Sequence, residues 1–435
     1  MARAGSACLH RLAGGKRAAE VRFHRFLDNP KVTVEKLIAG WSEDTVPAVA
    51  GRHVLAIQDG SDINFRTRDS RDRGLGPIGK GVGRGLILHP MIAVDAQTRE
   101  CLGLVGGNLW TRPAARKGEK KKINNARRPL SEKESRHWIE TAEAAKTTLA
   151  EAAMVTMVAD READIYQLWA TIPGPNVHVL GRVFRDRPLV GGGSITTAAS
   201  DWPAQGRRSI AIREREGRPE RDAVVDVRFG QITILRPASN REPGLPDQTT
   251  LALIELMEID PPEGTEPLFW RLLTTHAVTD ADTAWRIVDW YRARWTIEQL
   301  FRTLKRQGFQ IEDSQIETAD RLLKLVAIAT RAAVITIQLV QAREGGSALP
   351  APLIFNADEI STLEALDGTY TGKTPLQRNP YPRHSLPWAA WIIARLGGWD
   401  GYPSSRPPGP ITMKNGIDTL STLAQGWALR NVCMP

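Results

Sequence analysis

The sequence predicts an α/β fold, and three observations carry that prediction. Short apolar runs of strand-forming residues end in polar turns, helical patterning lies between and after them, and a Gly- and Pro-punctuated stretch from Pro188 to Glu266 holds further alternating runs. Alternation of VTMVAD, EADIYQLWATI and NVHVLGRVF as strand, helix and strand implies parallel pairing.

In chain order, the first fifty residues are basic, with VTVEKLIAGW at helical spacing, too little for an independent core. HVLAIQD, GLILHPMIAVDA and ECLGLVGGNLW then read as an antiparallel meander. Between the first two lies a glycine-rich basic loop, RTRDSRDRGLGPIGKGVGRG. A second basic run, Lys117 to Arg128, precedes a helix expected from Ser131 to about Met154, opened by Ser131 with Glu134 as a capping box. RSIAIRE, AVVDVRF, ITILRP and TLALIELMEI form the alternating runs of a separate β-rich insertion. Helical periodicity returns after Thr279, where Thr279 with Asp282 suits an N-terminal cap, and continues through Ala342 with a break near Gly308. The apolar tail segments PWAAWIIARLGGW and LSTLAQGWAL read as a small helical C-terminal unit.

Composition narrows the function. Hydrophobic residues at 42% and charged residues at 25% belong to a globular chain rather than a disordered one. A formal charge of +9 makes nucleic acid the leading class of partner. Cys8, Cys101 and Cys433 are far apart and form no CxxC pair, so neither a disulfide framework nor a zinc site is signalled, and a reducing cytoplasm is expected. No apolar run suits a signal peptide or a membrane span, so no membrane partner is expected. GLGPIG, from Gly74 to Gly79, fits G-x-G-x-x-G, but it follows a charged loop and precedes a strand, against the dinucleotide-binding context.

The chemistry concentrates in acidic residues. Asp59 ends HVLAIQD and Asp160 ends VTMVAD, at strand ends from which catalytic side chains commonly project; each position also suits an ordinary turn or helix-capping Asp. In YRARWTIEQLFRTLK, Tyr291, Arg294, Glu298 and Lys305 stand at offsets that a continuous helix turns into one stripe, at about 0°, 300°, 340° and 320°, bordered by Arg302 near 20°. Ile297, Leu300, Phe301 and Leu304 lie on the adjoining arc and are expected to face a core. Arg294 with Glu298, and Glu298 with Arg302, are equally suited to i,i+4 pairing on a solvated helix. Asp, Asp and Glu are the hard oxygen donors that Mg²⁺ or Mn²⁺ prefers, and two such ions could drive phosphodiester chemistry. Arg294 and Lys305 would then stand where phosphates approach.

These residues resemble the DD(E) transposases of insertion-sequence family four, whose signature Y-x2-R-x3-E-x6-K is met by Tyr291, Arg294, Glu298 and Lys305. VADREADIY resembles the family's second acidic motif and LAIQDGS its first. The resemblance extends over nearly the whole chain, including SLPWAAWIIARLGG. It implies a ribonuclease-H-like catalytic core interrupted by a β-rich insertion, with a helical C-terminal region. The implied divisions are 1–50, a partial N-terminal DNA-binding region; 51–187, the first part of the core; 188–266, the insertion; 267–345, the second part with the Y-R-E-K helix; and 346–435, a dimerisation region. Asp59, Asp160 and Glu298 become ligands of two Mg²⁺ or Mn²⁺ ions, and Tyr291, Arg294 and Lys305 phosphate contacts.

Trp270, in PLFWRLLTT, corresponds to the aromatic that receives a flipped base, while by pattern alone it also suits the core of an edge strand. Arg182, in VLGRVF, resembles another DNA contact, though a strand-end charge reads the same way. The implied activity is cut-and-paste transposition by a bacterial, cytoplasmic homodimer on double-stranded element-end and target DNA. Water frees a 3′-hydroxyl, that hydroxyl closes a hairpin on the opposite strand, water reopens it, and the 3′-hydroxyl attacks the target. Family members carry an N-terminal end-recognition domain, of which VRFHRFLDNPKVTVEKLI resembles the last part. An internal start or a truncated copy is therefore expected, and with it the alternative of a DNA-binding regulator or remnant that does not transpose.

Overall fold

The computed structural model describes residues 7–65, 73–79, 83–113, 128–212, 220–370, 374, 377–402 and 404–430. The basic run expected to track DNA lies outside these residues except for Arg128, as does Cys433.

Four helices open the chain: α1 (Leu9–Leu12), α2 (Arg17–Asp28), α3 (Val34–Ala39) and α4 (Thr45–Val49). Strands β1 (His53–Gln58), β2 (Ser61–Asn64), β3 (Gly76–Pro77), β4 (Arg84–Asp95) and β5 (Cys101–Trp110) follow. Next come α5 (Arg136–Thr148), β6 (Met154–Ala159), α6 (Tyr166–Thr171), β7 (Val177–Arg182) and α7 (Ile195–Ala198). The strands end with β8 (Gly206–Ile212), β9 (Arg221–Leu235), β10 (Gln248–Glu258) and β11 (Phe269–Thr274). The remaining helices are α8 (Ala281–Ala293), α9 (Trp295–Lys305), α10 (Ala319–Ala342), α11 (Ala357–Thr369), α12 (Leu386–Leu396) and α13 (Pro410–Arg430).

The described residues form two compact units. One takes in those within 1–50, 60–119 and 295–435; the other, those within 51–59 and 120–294. In the second unit the strands run in the order β1, β6, β7, β11, β10, β9, β8. The first three are parallel, as the alternation of strand and helix predicts, and the rest pair antiparallel. Buried almost throughout, β1 and β6 are the continuous apolar runs that an interior strand covered on both faces requires. β9, by contrast, alternates buried and open positions along a half-solvated face.

Several expectations are corrected here. The strands of the 188–266 segment prolong the core sheet, since β10 pairs with β11 and β11 with β7. AVVDVRF and ITILRP are one strand, β9, running through Gly230. Trp270 lies on an interior strand rather than an edge, because β11 is flanked by β7 and β10. β4 pairs antiparallel with β5, as expected, and also with β2, which the sequence did not suggest; β1 pairs parallel with β6. The helix expected from Ser131 begins at Arg136, because Leu130–Glu132 forms one 3-10 turn that ends in an extended Lys133. It stops at Thr148, leaving Met154 free to pair with His53. EADIYQLWATI divides into a 3-10 turn at Arg161–Ala163 and α6. The cap of α8 is Asp280, whose carboxylate accepts from the Thr283 N–H, not Thr279. GLGPIG enters β3, which pairs with β4 and opens no helix.

In the first unit α10 is the buried axis. By length and composition it is the one helix among the described residues that could cross a membrane, yet 67% of its apolar window is buried inside the fold. Trp41 Nε1 donates to Ala327 O at 3.0 Å, Lys324 Nζ to Leu27 O at 2.9 Å, and Arg331 pairs with Asp44 at 2.5 Å, so the N-terminal helices are bound to α10 by polar as well as apolar contacts. α12 is buried nearly end to end. It meets α13 backbone to backbone: a Cβ on Gly416 would lie 1.9 Å from Ile393 O, and one on Gly397 would lie 2.0 Å from Thr412 O.

Beneath α8 in the second unit lies a buried polar knot. The Thr156 hydroxyl stands 2.8 Å from both His53 Nε2 and His276 Nε2, so it can donate to a bare nitrogen of one imidazole and accept from the N–H of the other, and protonating both rings breaks the arrangement. The His178 ring stacks on His276 at 3.8 Å, and Trp290 of α8 meets His53 edge-on at 4.6 Å. Burial, reinforced by the neighbouring His178, His53 and Arg286, lowers His276 to about 3 from an ordinary value near 6.5.

Two consequences are measurable. Gly416→Ala should cost about 1–3 kcal/mol by forcing α12 and α13 apart, read as an earlier urea transition in tryptophan fluorescence; an unchanged transition would show that the helices separate freely. Because the folded pKa of His276 lies below the unfolded one, its stabilising contribution is present above about 6.5 and is lost as pH falls toward 3. Urea midpoints should therefore drop between pH 7 and pH 5, and His276→Gln should shrink that drop; an equal drop in both proteins would contradict the assignment.

Candidate active site

Register determines where the acidic residues stand. β1 pairs with β6 as Ile57 opposite Val158, and β6 with β7 as Ala159 opposite Gly181. Asp59 and Asp160 directly follow β1 and β6, and Arg182 is the last residue of β7, so all three stand at the carboxyl ends of neighbouring parallel strands. Carboxyl ends of parallel strands are where ligands of α/β sheets bind.

Asp59 is only 8% exposed, and its Oδ2 accepts from Arg294 Nη1 at 2.7 Å. Asp160 is half-buried, with Oδ1 accepting the Glu162 N–H at 2.7 Å, which starts the following 3-10 turn. Tyr291, near the end of α8, is buried. Burial pushes its phenol above the ordinary value; the Arg294 and Arg182 guanidiniums oppose that shift, and the Asp160 carboxylate adds to it. Trp270 meets Tyr291 edge-on at 5.5 Å, and Arg182 Nη2 donates to Phe269 O at 3.2 Å. One unit thus gathers six of the predicted residues: Asp59, Asp160, Arg182, Trp270, Tyr291 and Arg294.

Glu298, Arg302 and Lys305 belong to the other unit, on α9. Ile297, Leu300, Phe301 and Leu304 are buried as the periodicity predicts. Lys305 Nζ donates to Ser61 Oγ at 2.7 Å and lies 4.0 Å from Glu312. Burial pulls its ammonium below the ordinary value, against the charges of Glu312 and Asp62. Glu298 is half-buried in the first turn, and the exposed Arg302 guanidinium lies 5.9 Å from the Trp295 ring centre. The single stripe is corrected: Arg294 closes α8, its N–H bonding Tyr291 O three residues back, and a new helix starts at Trp295. Tyr291 and Glu298 therefore stand on different helices.

Sequence reasoning missed the anchor behind Asp160. Asp164, the second aspartate of DREAD, pairs with Arg187 at 2.6 Å, both nearly inaccessible. It also accepts from Trp169 Nε1 and from the Phe184 and Arg185 N–H groups. A buried carboxylate with this many donors fixes the backbone that follows β6 and β7. The repeated acid within four residues of Asp160 was its only sequence signal.

Among the described residues no group of three or more His, Cys, Asp or Glu side chains is placed to hold a metal ion by itself. The donor chemistry nevertheless fits a hard cation: two carboxylates directly follow the neighbouring strands β1 and β6, and Asp59 already has a positive charge against it in the Arg294 guanidinium.

A family model described as the transposase DDE domain matches residues 112–335, just over half of the chain. That span includes Asp160, Glu298 and the whole Y-R-E-K segment, and it leaves Asp59 outside. By that match this chain belongs to the family of transposase DDE domains, which makes its function transposase-type and DNA its partner.

Proposed function

We propose that the protein is a cut-and-paste transposase of the insertion-sequence-four type, acting on the ends of a mobile element as a homodimer. Asp59, Asp160 and Glu298 are the carboxylates that hold Mg²⁺ or Mn²⁺. The observation that supports this reading is the pairing of Ile57 with Val158 in the parallel strands β1 and β6, two residues before Asp59 and Asp160. Two bound divalent ions would activate the attacking oxygen and stabilise the leaving one at a phosphodiester.

The chain's own groups do the rest. Arg294, released from Asp59, and Lys305 hold the phosphates flanking the scissile bond, where a planar guanidinium gives two parallel hydrogen bonds and an ammonium a point charge. Tyr291 keeps its proton, since burial raises its phenol, and so donates to a phosphate oxygen rather than acting as a base. Arg182 and Arg302 add positive charge along the DNA path. Trp270, half-buried against Tyr291, offers a face for a base swung out of the duplex, which lowers the cost of the tight bend in a hairpin intermediate.

The test is metal-dependent nicking of DNA carrying the element ends that flank the coding frame. Asp160→Ala and Glu298→Ala should each reduce nicking by more than about 100-fold, beyond the loss typical of residues that only orient a ligand. Nicking that survives in either variant removes that carboxylate from the metal site.

A further inference from the structure

Phe184 is 63% exposed, although it sits in one of the most firmly held backbones of its unit. Its N–H and that of Arg185 donate to the same oxygen of Asp164, at 3.0 and 2.8 Å, and Asp164 is locked to Arg187 out of contact with solvent. Isolated exposed apolar side chains are ordinary on protein surfaces. One held this rigidly, at the working end of the sheet, is not accounted for by chain flexibility or by a role in the core.

Its position gives it a role. β7 pairs with β11 as Arg182 opposite Leu272, and the Val183 N–H donates to Arg271 O at 2.9 Å, which carries the ladder one step further. The next step sets Phe184 opposite Trp270. Directly opposed residues of antiparallel strands share a face, with Cβ atoms roughly 5 Å apart. Phe184 also stands two residues beyond Arg182, the last residue of β7, and is followed by Arg185. By strand alternation Arg182 and Phe184 share the face on which Trp270 lies, so two aromatic residues and a guanidinium-bearing one neighbour each other there. A nucleobase stacks on aromatic faces while its phosphates pair with arginine, so this combination recognises an extruded nucleotide.

We propose that Phe184 supplies the second aromatic wall, facing Trp270, of a clamp that holds a base extruded from DNA at the cleavage point. The proposal rests on the transposase reading of this unit. An aromatic wall preset by the Asp164–Arg187 pair needs no ordering when DNA arrives, which is how a rigid side chain adds affinity.

The experiment uses the full chain without metal and the flanking element-end duplex, with 2-aminopurine placed at successive terminal positions. Wild type should change the fluorescence at one position as that base moves from the duplex stack to the aromatic walls. Phe184→Tyr, which keeps the ring, should bind as well and give the same change. Phe184→Ala should weaken binding by roughly tenfold, since stacking one base is worth about that factor, with an unchanged melting temperature because the side chain is exposed. Wild-type affinity in Phe184→Ala, or a loss in Phe184→Tyr equal to that in Phe184→Ala, overturns the clamp while leaving the transposase reading in place. A wild-type chain that does not bind the duplex overturns both.

Discussion

The parallel register of β1 on β6 and of β6 on β7 is the constraint on which the candidate site depends. Side chains alternate along a strand, so a slip of one residue would carry Asp59 or Asp160 to the opposite face. The apolar runs prevent that slip. Val54 through Ile57 and Val155 through Ala159 are buried on both faces, so any other pairing would leave polar groups in their place. Once the strands are fixed, Asp59, Asp160 and Arg182 follow as the charged positions at their carboxyl ends, and α8 brings Tyr291 beside Asp160, Arg182 and Arg294.

Two aspartates of this unit divide the electrostatic work. Asp164 is sealed in, saturated with donors and paired with Arg187, so its charge serves geometry: it fixes the turn after Asp160 and the backbone after Arg182. Asp59, at the mouth of the sheet, pairs with Arg294, a residue the same chain can offer to a phosphate. Where the inner carboxylate is committed, the outer ones remain available for chemistry.

Much of this was legible in the sequence, and the exceptions have physical causes. β1, β6 and β7 were readable because continuous apolar runs ending in polar residues suit interior parallel strands, and the acids at their ends stood out for the same reason. The unity of β9 was hidden by Gly230, which looks like a turn residue but is required because the Trp202 ring packs where a Cβ would be, at 2.8 Å. The helix break at Arg294 was hidden because no Pro or Gly marks it; a backbone hydrogen bond three residues back, rather than four, ends α8. Trp270 read as an edge residue because nothing local reveals that β7 closes on β11 across a long sequence separation. The same long-range pairing places Phe184 opposite it, which no local pattern could signal.

The central claim is that Asp59 and Asp160 jointly hold a divalent ion, and the most direct measurement is calorimetric titration of the metal-free protein with Mn²⁺, comparing Asp59→Asn, Asp160→Asn and the double variant. A shared ion makes the two positions energetically coupled. Either single substitution should then remove the same binding event, with little further loss in the double variant. Independent, additive losses, or Mn²⁺ binding that survives both substitutions, would contradict the account.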